Sequence, residues 1–208
     1  NCKASADTTN DLSNINFRDK SWFQDSMKSN NGTEYSFQTV HYSQNIRDHT
    51  VTFSCKVHED SDPTKPVLGV IAAVFKWREF AQKIISETAL TDNEKKNTRV
   101  LICDDNGLIL ADSKEKILKE SISFVGRTDL FKKETGFTIQ KIKDTPQLIS
   151  HALSPGFEGY CSTQWHSLII QETDIKSIEK KSDNGDASDD SLDSITGLVV
   201  NLADETQK

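Results

Sequence analysis

Two apolar runs, Arg99-Val100-Leu101-Ile102-Cys103 and Leu108-Ile109-Leu110-Ala111-Asp112, stand on either side of Asp104-Asp105-Asn106-Gly107. Asn-Gly between apolar runs is the strongest short-range hairpin signal, because both residues tolerate positive φ. The pattern predicts two adjacent antiparallel strands. Residues 113–133 then read as a helical or irregular crossing, followed by three strand-like segments, Phe137–Ile142, Gln147–Leu153 and Trp165–Gln171. A hairpin, a short crossing and three consecutive strands describe one antiparallel sheet. Nothing alternates strand and helix as a parallel sheet would require.

The first half follows a shortened version of the same plan. Residues 1–16, rich in Asn, Asp, Ser and Thr, read as an entering loop. A helix is expected over Asp19–Asn30, capped by Asp19, with Trp22, Phe23, Ser26 and Met27 on one face and Asn31-Gly32 as its stop. Asn31-Gly32-Thr33 also fits a glycosylation acceptor, although the helix stop suffices to explain it. Three strands are expected over Glu34–Tyr42, Thr50–Val57 and Val67–Lys76. In the second, Val51, Phe53, Cys55 and Val57 should point inward and Thr52, Ser54 and Lys56 outward. The third is apolar on both faces and should be central in its sheet. A helix from Trp77 to about Ala89 carries Phe80, Ala81, Ile84 and Ile85 as its buried stripe, and Thr91–Asn97 is a polar connection. This module has no counterpart of the opening hairpin.

The end of the chain differs. Residues 172–191 are an acidic, flexible linker, nearly free of apolar side chains around Lys180–Asp190. They do not match a calcium loop, because Gly185 falls out of register with the acidic positions. In 192–208, Leu192, Ile195, Val199 and Leu202 are spaced three, four and three apart, the pattern of an amphipathic helix that begins a coiled-coil seam. The expected organisation is therefore 1–90, 91–171, 172–191 and 192–208.

Composition narrows the function. A net charge of −7, with Lys and Arg scattered among acids, disfavours nucleic acid and anionic membranes as partners. The longest apolar run, Val67–Phe75, is too short to cross a bilayer. The chain opens on Asn1 rather than Met and reads as a piece of a longer protein, so a membrane anchor would lie outside it. Cys2, Cys55, Cys103 and Cys161 form no Cys-x-x-Cys pair, and Cys55 and Cys103 read as reduced core thiols. His151 and His166 bracket the last strands but have no carboxylate nearby in sequence. They read as ordinary histidines rather than metal ligands, and His41, His49 and His58 have less claim. No nucleophile elbow, phosphate-cradling loop or zinc-protease motif is present, so neither an enzyme nor a cofactor or metal is expected.

Several segments carry a resemblance. Asn16–Met27 resembles the pocket helix of double-Cache sensor domains, written Arg-x-Trp-Tyr-x-x-Ala. Pro66–Trp77 is similar to the strand that ends their distal module, and Cys103–Asp112 resembles the hairpin that opens their proximal module. Ala152–Tyr160 is similar to the proximal module of a chemoreceptor-like subgroup. Ile195–Lys208 resembles the entry into a methyl-accepting signalling hairpin. The resemblance implies an α+β chain of PAS-like antiparallel sheets with flanking helices, two modules with the first incomplete, and a C-terminal amphipathic helix.

It also implies a function, the ligand-sensing domain of a chemotaxis-type signal transducer. Trp22, Phe23 and Tyr35 would line a pocket in the distal module with Lys20 steering an anionic group, and Ser54 and Lys76 complete the set. The match departs from amino-acid-binding members at Lys20, which stands where they carry Arg, and near Val74, where they carry an Asp. A Lys meets a carboxylate as a point charge rather than a fork, and an α-amino ligand would lack its counter-charge. The expected ligand is therefore another anion or metabolite. Implied partners are a second copy through the C-terminal helix and, downstream, a chemotaxis-type kinase and adaptor. Because Gln171 runs straight into the linker, the expected compartment is the cytoplasm, with an extracytoplasmic sensor as the alternative. Other readings are a scaffold domain without a small ligand, or the sensory region of a nucleotide cyclase or histidine kinase.

Overall fold

The computed structural model describes residues 2, 12, 15–29, 34–142, 144–155 and 163–173. The possible glycosylation acceptor, Cys161, most of the expected linker, the C-terminal helix and the Gly156–Tyr160 part of the proximal motif lie outside the described residues. The chain divides into two compact units, Asn1–Glu79 and Phe80–Lys208.

In the first unit, helix α1 (Ser21–Lys28) is followed by β1 (Tyr35–Ser43), β2 (Asp48–His58) and β3 (Val67–Lys76), with a single 3-10 turn at Glu59–Ser61 between β2 and β3. The strands form an antiparallel sheet in the order β1-β2-β3. Three expectations change here. Asp19 does not cap α1; Lys20 occupies the N-cap position and its side chain makes no capping bond, having no acceptor to offer. Met27 is exposed and Ser26 is the buried residue of the helix. The third strand is not central, because β2 takes the middle and β3 lies at the edge. Its Leu68, Ile71 and Phe75 are 68%, 61% and 53% exposed.

The alternation expected in β2 holds at Val51, which is buried, and fails along the rest of the strand. Thr50, Thr52 and Ser54 are buried, while Phe53 and Cys55 are half-buried and Val57 is exposed. Helix α1 lies on the hydroxyl-bearing face, so the polar side of this strand is covered as well. Polarity alone placed Thr52 and Ser54 outward, but hydroxyls are readily buried once they find partners.

Helix α2 (Trp77–Glu87) spans the point where the two units part, whereas the sequence placed the boundary after residue 90. Within the second unit the Gln82 side chain donates to the Asp112 carbonyl at 3.2 Å, and Ala81, Ile84 and Ile85 are buried. Phe80, expected in the same stripe, is 43% exposed. Helix α3 (Asp92–Asn97) occupies the expected polar connection. Its signal was present as Thr91-x-x-Glu94, a capping box in which the Glu94 amide donates to the Thr91 hydroxyl and the Glu94 carboxylate accepts from the Thr91 amide.

The second unit continues with β4 (Thr98–Cys103), β5 (Ile109–Asp112), α4 (Arg127–Phe131), β6 (Thr135–Ile142), β7 (Thr145–Leu153) and β8 (His166–Glu172). They form a 5-stranded antiparallel sheet in the order β5-β4-β8-β7-β6. The last strand lies at the centre between β7 and β4, and His166 to Ile170 are all buried. One sheet face packs Leu101, Cys103, Ile149, Leu168 and Ile170 against Leu130 and Phe131 of α4.

The predicted hairpin is present with a different turn. Only Gly107 has positive φ, and Asp104 organises the loop: its carbonyl accepts from the Gly107 amide at 2.8 Å and its carboxylate from the Leu108 amide at 2.8 Å. A side chain at Gly107 would also collide with the Arg127 guanidinium and the Ile122 carbonyl. Across β4 and β5, Arg99 grips the fully buried Asp112 through two bonds, Nε–Oδ1 at 3.0 Å and Nη2–Oδ2 at 2.7 Å. Removing one partner strands a buried charge. Arg99→Met is expected to lower unfolding free energy by about 3 kcal/mol in urea titrations; an unchanged midpoint would reduce the pair to a solvent-screened contact.

Candidate functional site

The expected ligand residues fall into two groups on opposite faces of the first sheet. Helix α1 is held on one face by side-chain bonds rather than apolar packing alone. Ser26 Oγ donates to Ser54 Oγ at 2.8 Å, and Ser54 Oγ donates to the Trp22 carbonyl at 3.0 Å. Lys56 Nζ donates to the Ser29 carbonyl at 2.6 Å, placing a cation at the helix C-terminus where the dipole favours it. Gln38 Nε2 donates to Ser21 Oγ at 2.9 Å, while its Oε1 is buried with no partner among the described residues. The seam therefore holds an unspent acceptor among hydroxyl groups.

Trp22 and Phe23 border this seam half-buried, with ring centroids 5.9 Å apart and Phe17 5.6 Å from Trp22. Lys76 pairs with Thr50 and Val74 with Thr52, so both belong to this face; Lys76 and Lys20 are exposed. Tyr35 does not join them. It pairs with Cys55 while Ser36 pairs with Ser54, and successive side chains alternate, so Tyr35 points to the other face. There it belongs to an aromatic row in which Phe53 lies 6.0 Å from Tyr35, 4.9 Å from Phe37 and 6.1 Å from Phe75. The structure brings Trp22, Phe23 and Ser54 together and puts the sheet between them and Tyr35.

A second cluster lies in the second unit. His151 on β7 and His166 on β8 are 1% and 0% exposed, and His151 Nε2 is 2.7 Å from His166 Nδ1. His166 Nε2 is 2.8 Å from Asp105 Oδ1 in the β4–β5 turn. Facing a carboxylate, His166 Nε2 donates; its Nδ1 is then the acceptor and His151 Nε2 the donor. This leaves Nδ1 of His151 bare, and it is buried without a partner. Phe131 stacks on both rings, at 3.9 Å and 12° over His166 and 5.1 Å and 19° over His151, with the Arg127 guanidinium 5.4 Å from the Phe131 centroid.

The sequence points to satisfied or surface histidines, with no carboxylate nearby in the chain. Both are hydrogen-bonded histidines; the carboxylate that sequence proximity missed, Asp105, comes from another strand connection, delivered by the pairing of Cys103 opposite His166. Burial, and secondarily His166, lowers the His151 pKa to about 4. Burial also lowers that of His166, opposed by the bond to Asp105. Burial raises the Cys103 thiol well above its ordinary range, helped by Asp104, so Cys103 acts as a core side chain.

No family model and no curated protein matches the sequence. Solved structures do. The ligand-binding domain of the Campylobacter jejuni chemoreceptor Tlp3, in complex with L-norvaline, superposes with a TM-score of 0.53 at 17% identity, over 78% of this chain and 56% of its own. The ligand-binding domain of the Pseudomonas aeruginosa amino-acid chemoreceptor PctC, in complex with GABA, gives 0.53 at 14% identity, over 76% and 63%. The chain has the fold of chemoreceptor ligand-binding domains. That of Mlp24 with asparagine agrees, at 0.52 and 13% identity over 79% and 59%. The chain thus spans less than two thirds of each of these chemoreceptor domains.

In this chemoreceptor-type fold the histidine pair ties stability to pH. A histidine whose folded pKa lies below its unfolded value near 6.5 stabilises the fold fully above 6.5, and that contribution is lost as pH falls towards 4. Unfolding free energy is expected to drop by on the order of 3 kcal/mol between pH 7.5 and 4 from His151 alone. Denaturant titrations of the chain and of His151→Phe across that range measure it, and equal slopes for both would remove His151 as the source.

Proposed function

We propose that this chain is the ligand-sensing part of a chemoreceptor-like signal transducer, and that the seam between α1 and β2 in the first unit is where a small molecule is read. The observation that carries the reading is the polar face of β2. Thr50, Thr52 and Ser54 are buried beneath or beside a helix attached through hydroxyl bonds, with Gln38 Oε1 left unpartnered. A helix held this way can change its seating when a ligand supplies better partners, which is the differential affinity a population shift needs.

The ligand class follows from the charges. Lys20 and Lys76 are the exposed cations of this face, and Val74 stands where the resemblance would require an acid for an α-ammonium group. A small carboxylate or similar anion bearing a hydrogen-bond donor for Gln38 suits these groups better than an α-amino acid. The similar solved domains bind amino acids and GABA, so selectivity is expected to diverge while the fold is kept. An extracytoplasmic setting is the better reading of the two weighed above, because the similar structures are ligand-binding domains of chemoreceptors. Dimerisation through 192–208 and coupling to a kinase and adaptor remain part of the proposal.

Thermal-shift measurements with small carboxylates, amino acids and purines test it. A ligand that binds only the folded chain raises Tm with concentration. Trp22→Ala is expected to weaken that response about tenfold in apparent affinity, a loss of roughly 1.4 kcal/mol, while lowering stability less. Equal losses would leave Trp22 a packing residue. No Tm response to any anion would favour the scaffold reading.

A further inference from the structure

We propose that Nδ1 of His151 is a proton-binding site, and that filling it releases α4 from the second sheet. This is a second input, separate from the small-molecule site in the first unit, and it stands or falls independently of that reading.

The geometry sets the proton count. The chain Asp105···His166···His151 holds two ring protons, one between Asp105 and His166 and one between the imidazoles. A third proton, taken from water, has two arrangements. It sits on His151 Nδ1 directly, or His166 holds both its protons while His151 shifts its own from Nε2 to Nδ1. In either case an N–H appears at Nδ1 of His151. That atom is buried without an acceptor among the described residues. The closed structure therefore tolerates the neutral pair and penalises the cation, both by desolvation and by an unmade hydrogen bond.

The element that gives way is α4. It packs over the pair through Phe131, whose ring covers both imidazoles. The helix has five residues, too few to persist without its packing, and it starts from Gly126 at φ 75°. Its apolar anchors are Leu130 and Phe131; its N-terminal side is tied through Val125, whose backbone bonds the Gln140 side chain. Moving Phe131 admits water to Nδ1 without breaking the β7–β8 ladder.

The groups that act on the pair come from two packed elements. Asp104 and Asp105 in the β4–β5 turn favour the charged form of His166 and Arg127 on α4 opposes it, while His151 feels burial and His166. Cys103, opposite His166, stays a neutral thiol. Asp105 is 65% exposed at its side chain, so its pull is damped by solvent, whereas the penalty at Nδ1 is not. Opening places the cation in water and away from Arg127.

Imidazole 15N spectra and amide exchange of the whole chain, from pH 7.5 to 4.5, test the proposal. At pH 7.5 His151 Nδ1 is expected to be unprotonated. Protection of the Leu130 and Lys133 amides, bonded to the Gly126 and Leu130 carbonyls, should fall about tenfold per pH unit below ~6.5, with β7 and β8 retaining theirs. His151→Phe should remove this dependence. If that variant does not fold, the wild-type ring titration decides, with a His151 midpoint well below 6.5 tracking the loss of α4 protection. A protonated Nδ1 at pH 7.5, flat α4 protection, a midpoint at the ordinary histidine value, or loss of the whole unit at once would each overturn the proposal.

Discussion

The pairing of β4 with β8 is the interaction on which the second unit depends. It puts the last strand at the centre of the sheet and buries His166 to Ile170. With Cys103 opposite His166, it also carries the following turn to the imidazole, so that a carboxylate from the hairpin meets a histidine 61 residues away in sequence. Arg99 and Asp112 lock the same hairpin from its other end. A single register thus supplies the core and the polar chain inside it.

The first unit shows the result of the same strand pattern without that partner. β6-β7-β8 and β1-β2-β3 are both consecutive antiparallel strands, but β8 has a neighbour on each side and β3 has one among the described residues. The apolar residues of β3 are correspondingly exposed where those of β8 are covered. Hydrophobicity on both faces announced a strand suited to burial; whether it was buried depended on a neighbour that no property of residues 67–76 encodes.

The two units hold their helices differently. α1 is seated by hydroxyl and amide contacts. α4 is seated by ring stacking on a histidine pair. In the two proposals, the first attachment answers to a molecule that offers hydrogen bonds and the second to the proton.

Local pattern alone determined much of this protein. Strand positions, the 99–112 hairpin, the helices near Ser21 and Trp77 and the PAS-like order of elements follow from side-chain period and turn chemistry, which act over a few residues. Tertiary structure decided the rest. It turned the hydroxyl face of β2 inward, put β3 at an edge, placed Tyr35 across the sheet from Trp22, and joined Asp105, His166 and His151. Those outcomes depend on which surfaces meet. A hydroxyl, an imidazole or an apolar strand becomes buried only when another segment arrives to cover and satisfy it, and that arrival is set by strand pairing between residues far apart in the chain.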